Sequence, residues 1–208
     1  MTTLAVADYP GLELRHLEVT FPEPLGATPT PAWLSALLAP DGKAPISAPE
    51  WVKPTVRDLL RHCGYRPTGR GKPSSEYLSG AAARGALGSI NAAVDCGNAV
   101  SLHSGIPVSV VDLDRTAGAL RVDVPAAGSA YVFNRSGQTI DLSGLLCLLD
   151  EEGPCANAVK DAQRTKTDDR TRRVLVIAWA PRCPLPGYPD EVVGWLGDLV
   201  TRLGAEIA

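Results

Sequence analysis

Asn91, Asp95 and Asn98 recur at i, i+4 and i+7 through the segment 89–104, a spacing that sets three polar side chains on one stripe of a helix. Asn and Asp are weak helix formers, so such a stripe is unusual on a helix interior. Ile90, Ala93, Val94 and Gly97 give the same helix an apolar, small-residue side. A second chemical position is Asp161, flanked by Lys160 and Arg164. Neighbouring cations favour its ionised form, which could position a water or an ammonium; a surface salt bridge fits the same spacing. Cys155 follows Gly153 and Pro154 a few residues before Lys160, where a thiol is either activated by the cation or buried and inert. Asp112 and Asp114 in V-D-L-D-R have the residue types of an acid/base pair. Alternation puts both on one side of a strand end, where a turn, Arg115 or Arg121 can satisfy them, so a structural role is expected. His16, His62 and His103 are scattered and read as surface or capping residues.

The sequence has no P-loop, no G-x-G-x-x-G between a strand and a helix, no G-x-S-x-G elbow and no H-E-x-x-H. Its five cysteines, Cys63, Cys96, Cys147, Cys155 and Cys183, contain no C-x-x-C pair and no His at zinc spacing, which predicts reduced thiols in a cytoplasmic protein. No cofactor and no metal site is expected. The apolar runs 145–149 and 174–180 fall far short of the roughly 18 residues a membrane span needs, so no membrane partner is expected either.

The elements that must position these residues follow from periodicity and punctuation. A strand is expected near 12–21, a short helix at 33–38, and a helix from Pro54 that Gly64 stops. The nine residues Y-R-P-T-G-R-G-K-P at 65–73 must form a shaped loop, with Ser74 or Ser75 capping a helix that runs through Glu76 and Tyr77. After the 89–104 helix, short apolar segments at 107–111, 120–124, 130–133, 139–142 and 145–149 predict a β-sandwich or barrel-like core. A buried strand at 174–180 and an amphipathic helix at 189–203 complete the pattern. At 208 residues, with 45% hydrophobic and 21% charged residues, the composition is that of a folded soluble protein.

The formal net charge of −3 conceals segregation. Residues 53–72 carry Lys53, Arg57, Arg61, Arg66, Arg70 and Lys72 against Asp58 alone, and residues 160–173 carry Lys160, Arg164, Lys166, Arg170, Arg172 and Arg173. The remainder is acidic. A diffuse polyanion binder is excluded; two blocks brought together would make one local positive face able to seat a phosphate backbone, and kept apart they are solvated surfaces.

Three stretches together resemble the B3/B4 domain family, found as the editing module of the phenylalanyl-tRNA synthetase β-subunit and as free-standing proteins. They are G-Y-R-P-T-G-R-G-K-P-S-S-E-Y-L at 64–78, S-I-N-A-A-V-D-C-G-N-A-V-S-L-H-S-G-I-P-V-S-V-V-D-L-D-R at 89–115, and D-A-Q-R-T-K-T-D-D-R-T at 161–171. The resemblance implies an α/β (α+β) fold of three layers, with a central β-sandwich flanked by helices. It implies a single domain over 1–208, the motifs covering about 50–180 and the terminal extensions packed on it. The implied activity is hydrolysis of an amino acid wrongly esterified to tRNA, with the aminoacylated acceptor end and the amino-acid moiety as partners. Carried over by position, Asn98, Ser109, Asp161 and Thr165 would be catalytic, and Asn91, Asp95, Glu76 and Cys155 would shape the substrate pocket. Arg66, Arg70, Lys72 and Lys166 would hold the RNA. The chain has Ser109 where the synthetase branch has His, and Gln163 near where that branch has a Glu against the tyrosine hydroxyl, so neither of those roles transfers. Besides hydrolysis, a tRNA-binding module without chemistry, or another reaction on an aminoacyl-tRNA or amino-acid derivative, fits the same residues.

Overall fold

A computed structural model describes residues 3–182 and 184–208. The chain runs β1 (Leu4–Val6), β2 (Arg15–Thr20), α1 (Ala32–Ser35), α2 (Val52–Arg61), α3 (Ser74–Ala83) and α4 (Ala92–Ser104), then β3 (Val108–Asp112) and β4 (Leu120–Asp123). It continues with the hairpin β5 (Ala130–Val132) and β6 (Thr139–Asp141), then β7 (Cys147–Asp150), β8 (Gly153–Asn157), β9 (Arg173–Ala178), α5 (Tyr188–Arg202) and β10 (Glu206–Ile207). The fold is α+β. One four-stranded sheet has the order β1-β4-β7-β8, the other β10-β2-β9-β3, and all pairings within them are antiparallel except β1 with β4.

Strand alternation builds the layers. Along β9, Val174, Val176 and Ala178 face helices α4 and α5, in one core with Ala99, Val100, Val192 and Leu196. Leu175 and Ile177, with Trp179 beyond them, face the other way and pack with Leu120, Val122 and Leu148 of the first sheet. The result is sheet on sheet with helices covering one outer face, as the sequence led us to expect. Helix α4 lies so close to β3 that a Cβ on Gly97 would sit 2.9 Å from Val110 Cγ2. Gly105, at φ +75°, ends the helix in the left-handed conformation.

Each segment expected from periodicity is present within a few residues. The strands not expected are β1, β10 and β8. The last reads G-P-C-A-N, a turn-like string; it tolerates Pro154 because it is an edge strand, paired with β7 across an irregularity at Leu148 and Leu149. Among the described residues no helix is long and apolar enough to cross a membrane.

Candidate functional site

Strand β3 is an edge strand, and the segment 157–167 runs along it. Between this segment, α3, α4 and the β5–β6 hairpin lies a cleft of about 720 Å³. Its polar lining includes Arg70, Lys72, Ser74, Asn98, Lys160, Asp161 and Lys166, and its apolar lining includes Leu78, Val108 and Phe133. A neighbouring groove of about 740 Å³ shares Arg70, Phe133, Gln138 and Lys160 with it and adds Arg66.

Asp161 is fixed from below. Ser109 occupies the odd register of β3, so its side chain enters the space between the sheets while Val108 and Val110 face α4. The Trp179 indole N–H, a donor only, donates to Ser109 Oγ at 2.9 Å. The serine proton is then directed to Asp161 Oδ1 at 2.7 Å, with the Asn157 carbonyl a longer acceptor at 3.2 Å. The Asn157 backbone N–H also donates to Asp161 Oδ1. The Asn157 side chain accepts from the N–H groups of Val159 and Lys160, at 2.8 and 2.9 Å, shaping the turn that delivers Asp161, and donates to the Tyr131 hydroxyl. Burial lifts the Asp161 carboxyl to about 6, against the opposing pull of Ser109, of Lys166 and of the Asn157 and Val110 backbone. A carboxyl in that range can take and return a proton near neutral pH.

The cations around it are held by packing. Lys166 Nζ donates to the Phe133 carbonyl at 2.6 Å, and Lys160 Nζ stands 4.1 Å over the Phe133 ring. Burial lowers the pKa of both ammonium groups; Arg70 and Lys166 lower Lys160 further, whereas Asp161 supports the charge on Lys166. Among the described residues, Arg66, Arg70, Lys72, Lys160 and Lys166 have no carboxylate within ion-pair distance. Ser74 Oγ is buried at the cleft without a hydrogen-bond partner. The expected serine cap is absent, since Pro73 is the N-cap of α3 and no side chain caps it.

Most other cations of the two basic blocks are paired with carboxylates; among the described residues Arg170, exposed at the surface, is the exception. Arg57 grips Glu76 through two bonds of 2.6 and 2.7 Å, Arg61 pairs with Asp58, Arg172 with Glu23, and Arg173 with Glu18 and Asp114. Arg164 makes two bonds to the buried Asp150, at 2.6 and 2.8 Å. Burial alone would raise the Asp150 carboxyl, yet Arg164 and the N–H groups of Ala117 and Glu152 hold it below its ordinary value. The stability this contributes is present above the ordinary aspartate pKa and is lost as pH falls through the depressed one. Arg164→Ala leaves that charge with backbone donors alone, and urea unfolding at pH 7 is expected to show a loss of about 3 kcal/mol.

Several residues expected at the pocket lie elsewhere. Asn91 is the N-cap of α4; it accepts from the Val94 N–H at 3.0 Å and donates to Thr167 Oγ1. Asp95 is buried and accepts from Thr30, Ser89 and the Ile90 N–H, so of the polar stripe Asn98 alone lines the cleft. Glu76 faces α2, away from Asp161, because Arg57 and Lys53 hold it there. Thr165 is buried and donates to the Cys155 carbonyl, tying the loop to β8. Cys155 lies in the sandwich core, its thiol directed to the Leu148 carbonyl and its pKa pushed up by burial. Iodoacetamide is therefore expected to alkylate the exposed Cys63 in the native protein, and Cys96, Cys147 and Cys155 only after unfolding, as read by peptide mass spectrometry. Cys183 lies outside the described residues. Asp112 takes the structural part foreseen for it, accepting from the Asp114 N–H and from Thr171 Oγ1.

Residues 65–181, just over half of the chain, match the B3/4 domain. The chain belongs to the B3/4 domain family. Every residue lining the cleft around Asp161 falls inside the B3/4 match, whereas β2, α2, α5 and β10 lie outside it. The phenylalanine–tRNA ligase beta subunits of Bartonella quintana (strain Toulouse) and Bartonella henselae are each 36% identical to the chain over 89 residues. That stretch is 42% of this chain and 11% of those relatives, so the chain spans only a small part of their length. A crystal structure of an N-terminal fragment of the phenylalanyl-tRNA synthetase beta-subunit from Pyrococcus horikoshii overlaps 55% of this chain and 40% of its own, with a TM-score of 0.46 and 11% identity.

Residues lining the cleft that the sequence does not assign to it are Ser74, Tyr77, Phe133 and Lys160. In the sequence Lys160 reads as a neighbour of Asp161 and as one charge in a run, with nothing to aim it into a cleft. Phe133, one of two phenylalanines in the chain, was the available signal for an aromatic wall.

Proposed function

We propose that the chain removes amino acids from mischarged tRNA in trans, by hydrolysing the ester between the aminoacyl group and the terminal ribose. The observation that carries this reading is Asp161, held by Ser109 and the Asn157 backbone in a cleft whose rim bears cations free of carboxylates. B3/4 membership and relatives named phenylalanine–tRNA ligase beta subunits support tRNA as the partner.

The chemistry needs little beyond placement, because an aminoacyl ester is already activated. Asp161 accepts a proton from a water as that water's oxygen bonds to the ester carbonyl carbon. The developing oxyanion meets the Lys166 ammonium. The carbon–oxygen bond to the ribose then breaks, and Asp161 returns the proton to the departing ribose oxygen, which leaves as a hydroxyl. The Asn98 amide offers an oxygen to the α-ammonium group, and Arg66, Arg70, Lys72 and Lys160 meet the phosphates. Ser109 is a positioning residue: its proton is committed to Asp161, so it is not the nucleophile.

Incubating the purified protein with tRNAs charged with non-cognate amino acids is expected to release at least one of them well above the spontaneous rate. Salt-sensitive tRNA binding with no release across the panel would replace this reading with a binding module. Release from free aminoacyl esters as fast as from tRNA would replace it with a hydrolase of amino-acid derivatives.

A further inference from the structure

The cleft does not end at Asp161. A smaller recess of about 220 Å³ continues from it between α4 and the edge strand β3, sharing Asn98, Val108, Asp161 and Lys166 with the cleft. With Val108, its aliphatic lining is Ile90, Val94 and Val110. Its other polar residue, Thr167, is bonded through Oγ1 to the Asn91 amide. Among the described residues, Asp161 and Lys166 are the charged groups that line it, and no aromatic ring does.

Its shape is fixed by packing. Gly97, one residue from Asn98, lets α4 approach β3 until a Cβ would collide with Val110, so the two walls cannot close further or slide freely. Three of the four wall residues are valines, whose χ1 is stiff. Ile90, at the rim, is 68% exposed, an aliphatic side chain without cover beside an aliphatic pocket.

We infer that this recess receives the side chain of the esterified amino acid and selects an uncharged aliphatic one. The inference rests on the deacylase reading for its placement. If the reacting carbonyl sits at Asp161 and the phosphates lie on the cationic side, the substituent next to that carbonyl is the group within reach of the recess. A lysyl or aspartyl side chain would have to shed its hydration against four aliphatic side chains, with the two charged groups of the recess, Asp161 and Lys166, already engaged at the reacting ester; a tyrosyl ring would meet no stacking surface. Among aliphatic groups, one methylene more or less in a rigid pocket separates substrates by roughly 10- to 200-fold.

The test uses the whole chain and stable amide analogues of the ester, 3′-deoxy-3′-(aminoacylamino)adenosines carrying valyl, isoleucyl, tyrosyl, lysyl or aspartyl groups, with affinities read by calorimetry. The valyl or isoleucyl analogue is expected to bind at least tenfold more tightly than the other three. Ile90→Asp, at an exposed position that folding does not depend on, and Val94→Phe, which fills the recess, should each remove most of that preference. Equal or tighter binding of a charged or tyrosyl analogue overturns the inference, as does absence of binding by any analogue or a preference that survives both substitutions. Hydrolysis of the matching tRNA esters is measured in parallel. Aliphatic-selective binding without hydrolysis would sink the deacylase reading and keep the recess; hydrolysis without side-chain preference would do the reverse.

Discussion

Asp161→Asn is expected to lower ester hydrolysis by about 10²- to 10³-fold, because it removes the group that accepts the water's proton while leaving its surroundings intact. An asparagine keeps an oxygen for the bonds from Ser109 and the Asn157 N–H, so the turn at 157–161 survives. In the unsubstituted protein the rate should rise with pH through about 6, as the carboxyl ionises. The same shift has a stability consequence of defined sign. Burial raises the folded-state value from 3.8 to about 6, so between those values the folded protein holds a proton that the unfolded chain releases. Stability therefore falls as pH rises through that window, and above about 6 the ionised carboxylate opposes folding. Asp161→Asn removes that penalty. Thermal unfolding at pH 8 is expected to show the variant at least as stable as the parent, by up to about 2 kcal/mol. A variant that keeps full activity would remove Asp161 from the reaction; one that unfolds early would show the residue to be structural.

This pairing of lost activity with unchanged or increased stability is the mark of a carboxylate held in an unfavourable place for use. It also separates what sequence could show from what it could not. The layered α+β core was legible because alternation in β9 and the spacing of the short strands reflect burial, which is written locally. The polar stripe of α4 was legible as a stripe, but the work of each member was not. Asn91 and Asp95 are consumed at the helix N-terminus by Thr167, Thr30 and Ser89, residues up to 76 positions away. Only Asn98, past the first turn, remains for the cleft. Ser109 could have been placed by parity alone, since a period of two puts it opposite Val108 and Val110 and hence inside the sandwich. Trp179, which turns the serine proton toward Asp161, has no sequence signature, because the bond spans 70 residues.

The basic blocks make the same point in electrostatics and lead to the second large effect. Twelve cations stood out by density alone, but whether a cation is free depends on carboxylates brought from Glu18, Glu23, Glu76 and Asp150 by the fold. Replacing Arg70 and Lys160 together by Glu should weaken tRNA binding by more than about 10²-fold at 0.1 M salt, since two attractive interactions with phosphates become repulsive. The slope of log affinity against log salt should become shallower by about 0.7 to 0.9 for each phosphate that the protein ceases to neutralise, which filter binding across a salt series measures. Arg173→Glu changes the formal charge by the same amount per site and lies in the same sequence block as Lys160. Its guanidinium is already engaged by Glu18 and Asp114, however, so it should alter tRNA affinity less than about threefold through the screened long-range field alone. If the Arg173 variant instead lost as much affinity per charge as the cleft variant, binding would follow net charge and the cleft would have no special claim on the RNA.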